Sequence, residues 1–368
     1  MCAAAAQDSP ILVGAVVSQT GAHADLAADY AKGLELWRDE VNAAGGLLGR
    51  RVELRLLDDA SRAARAGELY GRLIREDKAD LLVGPYGSAA TLVAASEAER
   101  ARSVMVNGAG PAAVVHSRAP RYLFQTAVPY ALYGAGVLEM AAQAGYRRLV
   151  ILARDDPQSR EMAEATQRAA QKEFSVGEIL FHRGGLTDFS TQVARARAAD
   201  AEAWIAFGDV RDAAEMVKSF KRLDYAPPLF FARGAAHPRF IALVGQDAEF
   251  SLGAVDFDPR VGARARAFAR AYAAKWTVAP SLAAAEGYVA GQVLAAAVRA
   301  ASTLDQERLR AALAELELET ALGEYRVAPE NGAQTGFRPV LVQIRKGRPA
   351  PGMPLLPYPQ WEERSLIQ

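Results

Sequence analysis

Strand-like and helix-like segments alternate along almost the whole chain, and that alternation restricts the fold more than any other feature. Residues 10–17 (PILVGAVV) form a short apolar run rich in β-branched side chains, the pattern of a strand buried on both faces. Residues 24–43 then carry Leu34, Trp37 and Val41 at helical spacing and end at Gly45-Gly46, a natural helix stop. The rhythm continues with strands at 52–57, 81–83 and 104–106 and helices at 63–76 and 89–102. It restarts after Phe124, with helices at 132–144, 157–172, 190–199 and 213–223 and strands at 149–153, 176–181, 203–207 and 229–232. Pro157 suits a first helical turn and Ser190 a helix cap. Such alternation specifies α/β architecture with parallel sheets. Alanine-rich helices at 262–276, 283–300 and 305–316 exceed what the second sheet needs, so they are expected to return and cover the first. Chain crossings then fall near Thr126, Ala254 and Arg326. Two strands, 325–327 and 340–344, with a turn at 330–332, close the chain.

At 368 residues the chain exceeds one ordinary core, which predicts two domains. Its 43 Lys plus Arg balance 43 Asp plus Glu. That balance argues against nucleic acid, where clustered positive charge supplies most of the affinity, and against a polybasic membrane patch. No apolar run is long enough to span a bilayer. The single cysteine, Cys2, excludes an internal disulfide and a cysteine zinc site, and the four histidines stand far apart. No cofactor or metal is expected. The start, Met1-Cys2-Ala3-Ala4-Ala5-Ala6, has three readings: a mature lipoprotein beginning at Cys2, the stub of a cut signal, or an alanine-rich cytoplasmic start.

In open parallel sheets ligands bind beyond the carboxyl ends of the strands. Three loops there have suggestive chemistry. In Val83-Gly84-Pro85-Tyr86-Gly87-Ser88, Ser88 is expected to cap a helix whose free amides can hold a carboxylate. Gly87 lets a ligand approach the backbone, and Tyr86 offers a ring or a hydroxyl. Asn107-Gly108-Ala109-Gly110-Pro111-Ala112-Ala113 matches a dinucleotide fingerprint, but no acid stands about twenty residues on and Pro111 removes an amide, so a backbone-lined cleft wall fits better. Arg154-Asp155-Asp156-Pro157-Gln158-Ser159 opens the second series. Catalytic patterns are missing: there is no G-x-S-x-G elbow and no phosphate loop, and Asp58-Asp59 is read as a helix start. No enzymatic activity is expected.

Several stretches together resemble the type I periplasmic binding proteins, in particular the branched-chain amino-acid (Leu/Ile/Val) binding family of ABC importers. They are residues 41–50 (VNAAGGLLGR), Leu57-Asp58-Asp59, residues 83–88 (VGPYGS), residues 185–190 (GLTDFS) and Gly287-Tyr288-Val289-Ala290. The resemblance covers about residues 11–344. It implies an α/β fold of two Rossmann-like lobes with parallel sheets, joined by a three-crossing hinge and closing on a ligand. The N-terminal lobe would hold residues 9–126 plus 255–326, and the C-terminal lobe 127–254 plus 327–368. It also places Ser88 at the ligand carboxylate and Gly108, Ala109 and Gly110 on the neighbouring loop, with Gly110 where the family usually carries a threonine. Gln158 and Asp209 stand where the family has tyrosines, and Gly234, beside Arg233, where it has the glutamate that pairs with an amino group. These departures disfavour a standard branched-chain amino acid, although Asp209 could take a cation's charge and Arg233 an anion's.

The expected function is therefore a solute-binding receptor. It would deliver a small polar or carboxylate-bearing molecule (amino acid, amino-acid-like or aromatic acid) to the membrane permease of an ABC importer. It would be periplasmic, anchored by lipid if Cys2 is modified, and monomeric. The alternative is a cytoplasmic ligand sensor of the same fold, resembling the amide sensors that regulate a protein partner.

Overall fold

A computed structural model describes residues 9–351 and 356–361. Cys2, and with it the lipid-anchor expectation, lies outside the described residues. The chain divides into two compact units, one of residues up to Pro129 with Pro259–Phe337, the other of Tyr130–Asp258 with the residues from Arg338 on.

The first unit opens with β1 (Ile11–Val16), α1 (Ala24–Ala43), β2 (Val52–Leu57), α2 (Ala63–Arg75), β3 (Leu81–Val83), α3 (Ser88–Ala101), β4 (Met105–Asn107) and β5 (Leu123–Gln125). The five strands form a parallel sheet in the order β2-β1-β3-β4-β5. Val16, Tyr70, Leu73, Leu82, Ala94, Met105 and Leu123 meet in one of its cores.

The second unit follows with α4 (Ala135–Gln143), β6 (Arg148–Arg154), α5 (Pro157–Ala170), β7 (Ser175–Val176), β8 (Leu180–His182), α6 (Ser190–Ala198), β9 (Ala203–Phe207), α7 (Val210–Arg222), β10 (Leu229–Ala232), α8 (Pro238–Val244) and β11 (Leu252–Val255). Its core is aromatic. Trp204 meets Phe220 edge-on at 4.8 Å, and Phe220 meets Phe230 at 5.0 Å, the offset geometry that ring quadrupoles favour.

The chain then returns to the first unit as α9 (Ala263–Trp276), α10 (Leu282–Ala301), α11 (Gln306–Glu315) and the hairpin β12 (Leu318–Thr320) and β13 (Gly323–Tyr325). As the sequence suggested, α10 packs on α1, β3 and β4. The approach to α1 is very close. A Cβ on Gly33 would lie 2.0 Å from the Ala284 carbonyl oxygen, and one on Gly287 would lie 2.1 Å from that of Tyr30. Small residues along α10 let two backbones meet where larger side chains would hold them apart. Finally β14 (Val340–Arg345) and β15 (Arg348–Pro351) complete the second sheet, ordered β15-β14-β11-β10-β9-β6-β7 with β8 also on β6. Both late strands run antiparallel.

Local expectations differ from the structure at several points. The strand read at 176–181 is two strands, β7 and β8, each pairing with β6 around a break that begins at Gly177. The helix read from 132 begins at Ala135 after a 3₁₀ turn at Tyr130–Leu132, because Gly134 packs directly against Thr166. Ser190 is not a cap: it is the first helical residue, and Asp188 accepts bonds from its amide and hydroxyl. The strands read at 325–327 and 340–344 do not pair with each other. Residues 327–337 stay with the first unit, since Gly332 accepts a bond from the Gln125 amide at 2.9 Å and His116 Nδ1 lies 2.9 Å from the Asn331 carbonyl oxygen. The last crossing therefore follows Phe337 instead of lying near Arg326.

Candidate functional site

In the first unit, β3 and β4 are parallel neighbours, so their carboxyl-terminal loops stand side by side. Gly87 precedes α3 with φ 94°, a left-handed conformation that suits glycine, and no side chain caps the helix. Ser88 is thus the first helical residue and not the expected cap. Its hydroxyl accepts a bond from the Ala112 amide at 3.2 Å and so ties the two loops together. A serine followed by two alanines (Ser88-Ala89-Ala90) leaves the start of α3 free of bulk, with its amides and positive dipole end available to an anion.

The neighbouring loop is built of buried backbone. Gly108, Ala109 and Gly110 are all buried. Gly110 has φ 75°, and a Cβ there would lie 2.9 Å from the Gly87 carbonyl carbon and 2.7 Å from Thr91 Oγ1. The position where the resemblance implied a threonine therefore has no room for a side chain. Asn107 fixes this loop by donating to the Ala109 carbonyl and to Gln125 Oε1, while the Gln125 amide also donates to Ala109 O. Tyr30 Oη donates to the Gly84 carbonyl at 3.1 Å and accepts from the Gly108 amide at 3.3 Å, joining both loops from beneath. Burial, reinforced by the charge of Glu286, pushes the Tyr30 phenol far above its ordinary value, so it remains a donor. Tyr86 is half-buried, with its ring 6.1 Å from that of Tyr30 and 6.2 Å from that of His23. Asp58 and Asp59 do not cap α2. They accept bonds from Gln19, Thr20 and Ser18, and so pin the loop after β1.

In the second unit the strand ends carry more charge. Asp156 caps α5 through the Ser159 amide, leaving Gln158 half-buried in the first turn. Asp209 caps α7 in a reciprocal box with Asp212. Arg154, ending β6, places Nη2 2.6 Å from Asp209 Oδ2 and Nε 2.8 Å from Asp212 Oδ2. Burial alone would raise the Asp209 carboxyl, but the Asp212 amide and Arg154 outweigh it and hold the group below its ordinary value. Arg154 thus supplies Asp209 with a cation from within the chain. Gly234 is buried against the Asp209 backbone, where a Cβ would lie 2.2 Å from the Asp209 carbonyl oxygen. Arg233 is half-buried, its guanidinium 5.3 Å from the centre of the Tyr133 ring. The Tyr133 hydroxyl donates to Asp256, whose carboxyl is raised by burial.

Sequence reasoning missed Tyr30, Gln125, Tyr133 and Asp256, and named Asn107 and Arg154 only as members of their loops without the bonds they make. A signal existed only for Asp209 and Asp212, whose spacing is that of a capping box. Among the described residues no three His, Cys, Asp or Glu side chains are grouped as a metal site needs, and no helix is long and apolar enough to cross a membrane.

Parallel sheets whose carboxyl ends carry glycine-built loops define the class of α/β ligand-binding proteins. Residues 10–348 match the family model of the periplasmic binding proteins, and the chain belongs to that family. Three solved structures share the fold. A Rhodospirillum rubrum protein assigned as a branched-chain amino acid ABC transporter superposes with TM-score 0.86 at 22% identity, covering 93% of this chain and 100% of that one. The LivJ branched-chain amino acid binding protein of Streptococcus pneumoniae, in complex with isoleucine, gives 0.70 at 21% identity over 93% and 99%. A solute-binding protein of R. palustris, in complex with benzoate, gives 0.67 at 20% over 96% and 98%. In sequence, an amino acid binding protein of Pseudomonas aeruginosa is 28% identical over 203 residues, 52% of each chain. The chain thus spans about half the length of that curated relative.

Proposed function

We propose that this protein is the solute receptor of an ABC importer, binding a small polar, carboxylate-bearing molecule for a membrane permease and catalysing nothing. One observation carries the reading. The start of α3, uncapped by any side chain, stands beside a buried loop whose Gly110 packs directly against the Gly87 and Ser88 backbone. The α3 amides and Ser88 take a carboxylate oxygen, and Tyr86 with Gly87, Gly108 and Ala109 shapes the wall. In the second unit Gln158 and Arg233 are the strand-end side chains assigned to ligand, whereas Asp209 and Gly234 serve loop structure. Isoleucine and benzoate, held by two proteins of the same fold, have a carboxylate in common. The protein acts in the periplasm as a monomer, with Cys2 as the residue available for a lipid anchor.

The test is thermal-shift titration against amino acids, aliphatic and aromatic acids and amides, since any ligand that prefers the folded state raises its stability. At a hundredfold excess over Kd the gain is about 2.7 kcal/mol. Ser88→Pro, which removes one of the α3 amides, is expected to lower carboxylate affinity at least tenfold. A flat response across the whole panel overturns the reading.

A further inference from the structure

We infer that Glu286 is a specificity-determining residue of the receptor: its buried carboxylate receives a cationic amine of the solute, within the first unit alone. The inference rests on the receptor reading above. Glu286 lies near the start of α10 and is 8% exposed. α10 packs on β3 and β4, the strands that carry the glycine-built loops. A Cβ on Gly108 would lie 2.6 Å from the Glu286 carbonyl oxygen and 2.8 Å from Tyr30 Oη, so α10, α1 and the loop after β4 close on one another at that glycine. The charge of the Glu286 carboxylate reaches Tyr30, whose ring stands 6.1 Å from that of Tyr86.

Glu286 has interactions of its own within the chain, yet they leave one oxygen over: Oε2 is buried and accepts no hydrogen bond. A carboxylate oxygen kept in that state costs free energy until a donor reaches it. The neighbouring donors are spent. The Tyr30 hydroxyl proton goes to the Gly84 carbonyl oxygen, and the Asn107 amide protons go to Ala109 and Gln125. An amine of the solute supplies both the donor and the opposite charge, and a charge taken out of water binds well only where such a pair forms. The half-buried Tyr86 ring, beside those of Tyr30 and His23, adds an aromatic surface that attracts a cation. The carboxylate of the solute has its place on the same unit. Gly110, in the loop that Glu286 backs, packs against Gly87 and Ser88, so the uncapped start of α3 adjoins that loop. A helix start and a buried acid on adjoining loops match the two charges of one small molecule. Gly234 stands where the resemblance implied an acid for the amine, and Glu286 supplies the acid from a different element.

The experiment is calorimetric titration of the full chain. Each amino acid that binds in the thermal-shift panel is compared with its deaminated acid, leucine against 4-methylpentanoate and phenylalanine against 3-phenylpropanoate among them. In the parent the amine-bearing member is expected to bind at least about tenfold tighter, the scale of a hydrogen bond to a charged group. Glu286→Gln keeps the size of the side chain and removes its charge. It is expected to lower affinity for the amino acid at least about tenfold more than affinity for the deaminated acid, whereas a merely structural role would weaken both alike. If the deaminated acid binds as tightly as the amino acid in the parent, or only solutes without an amine bind, the inference is overturned while the receptor reading stands. A folded Glu286→Gln protein with unchanged discrimination also overturns it. Where circular dichroism shows that Glu286→Gln does not fold, Tyr86→Leu takes its place and is expected to shrink the preference for the amine about threefold, the scale of a cation–π contact; an unchanged preference overturns the inference. If no solute of the whole panel binds, both readings fall.

Discussion

Gly287→Ala is expected to destabilise the first unit and loosen its ligand loops, although alanine is the better helix former. The added methyl would lie 2.1 Å from the Tyr30 carbonyl oxygen, against 3.4 Å for ordinary contact. The obstacle is backbone, so α1 and α10 must separate by about 1 Å. Overpacking of this kind costs about 1–3 kcal/mol, with backbone displacement toward the upper end. Helix propensity returns at most about 1 kcal/mol. The net loss is about 2 kcal/mol, which lowers Tm by roughly 4–8 °C in a unit of this size. Tyr30 moves with α1, and its hydroxyl joins Gly84 to Gly108, so ligand affinity falls as well. Gly67→Ala in α2 is the control. Its Cβ would find Val93 at an ordinary 3.5 Å, so the same substitution is expected to raise Tm by a few degrees. Differential scanning calorimetry of both variants decides the matter. A Gly287→Ala protein that melts at or above the parent refutes the reasoning.

Gly110→Thr, which would restore the hydroxyl usual in the family, is expected to lower stability by about 2 kcal/mol or more and to weaken binding, because φ 75° and the Gly87 backbone both oppose a side chain; chemical denaturation and titration check it. Tyr358→Ala removes a ring that is 2% exposed and packs 5.4 Å from Phe230, and is expected to cost about 3–5 kcal/mol by urea denaturation. Asp209 is held below its ordinary pKa, so its contribution to stability is complete above its unfolded value of about 3.9 and is lost as pH falls through the lower folded value. Urea midpoints measured from pH 6 to pH 3 should therefore fall more in the parent than in Asp209→Asn.

The sequence was most legible where structure is local. The periods of the apolar residues determined most strands and helices, the α/β class and the restart of the series, because one buried face per element is written into neighbouring residues. The glycines at 87, 108 and 110 also marked two loops that the structure sets side by side after β3 and β4, since a left-handed turn or a close backbone approach demands glycine wherever it occurs. Ser88 was harder to place: cap and first helical residue differ by one position, and the left-handed Gly87 decided it.

Tertiary structure alone decided how charges are matched and where the tail goes. Arg154 lies 55 residues before Asp209, and no spacing rule reveals that the ends of β6 and β9 bring them to 2.6 Å. Gly234 looked like a missing side chain; only the fold shows that the Asp209 backbone occupies that space. Residues 327–337 carry no pattern that selects a unit, and their hydrogen bonds to Gln125 and His116 made the choice. Periodicity reports which face of an element avoids water, whereas partners far apart in the chain are set by how the sheets stack those faces.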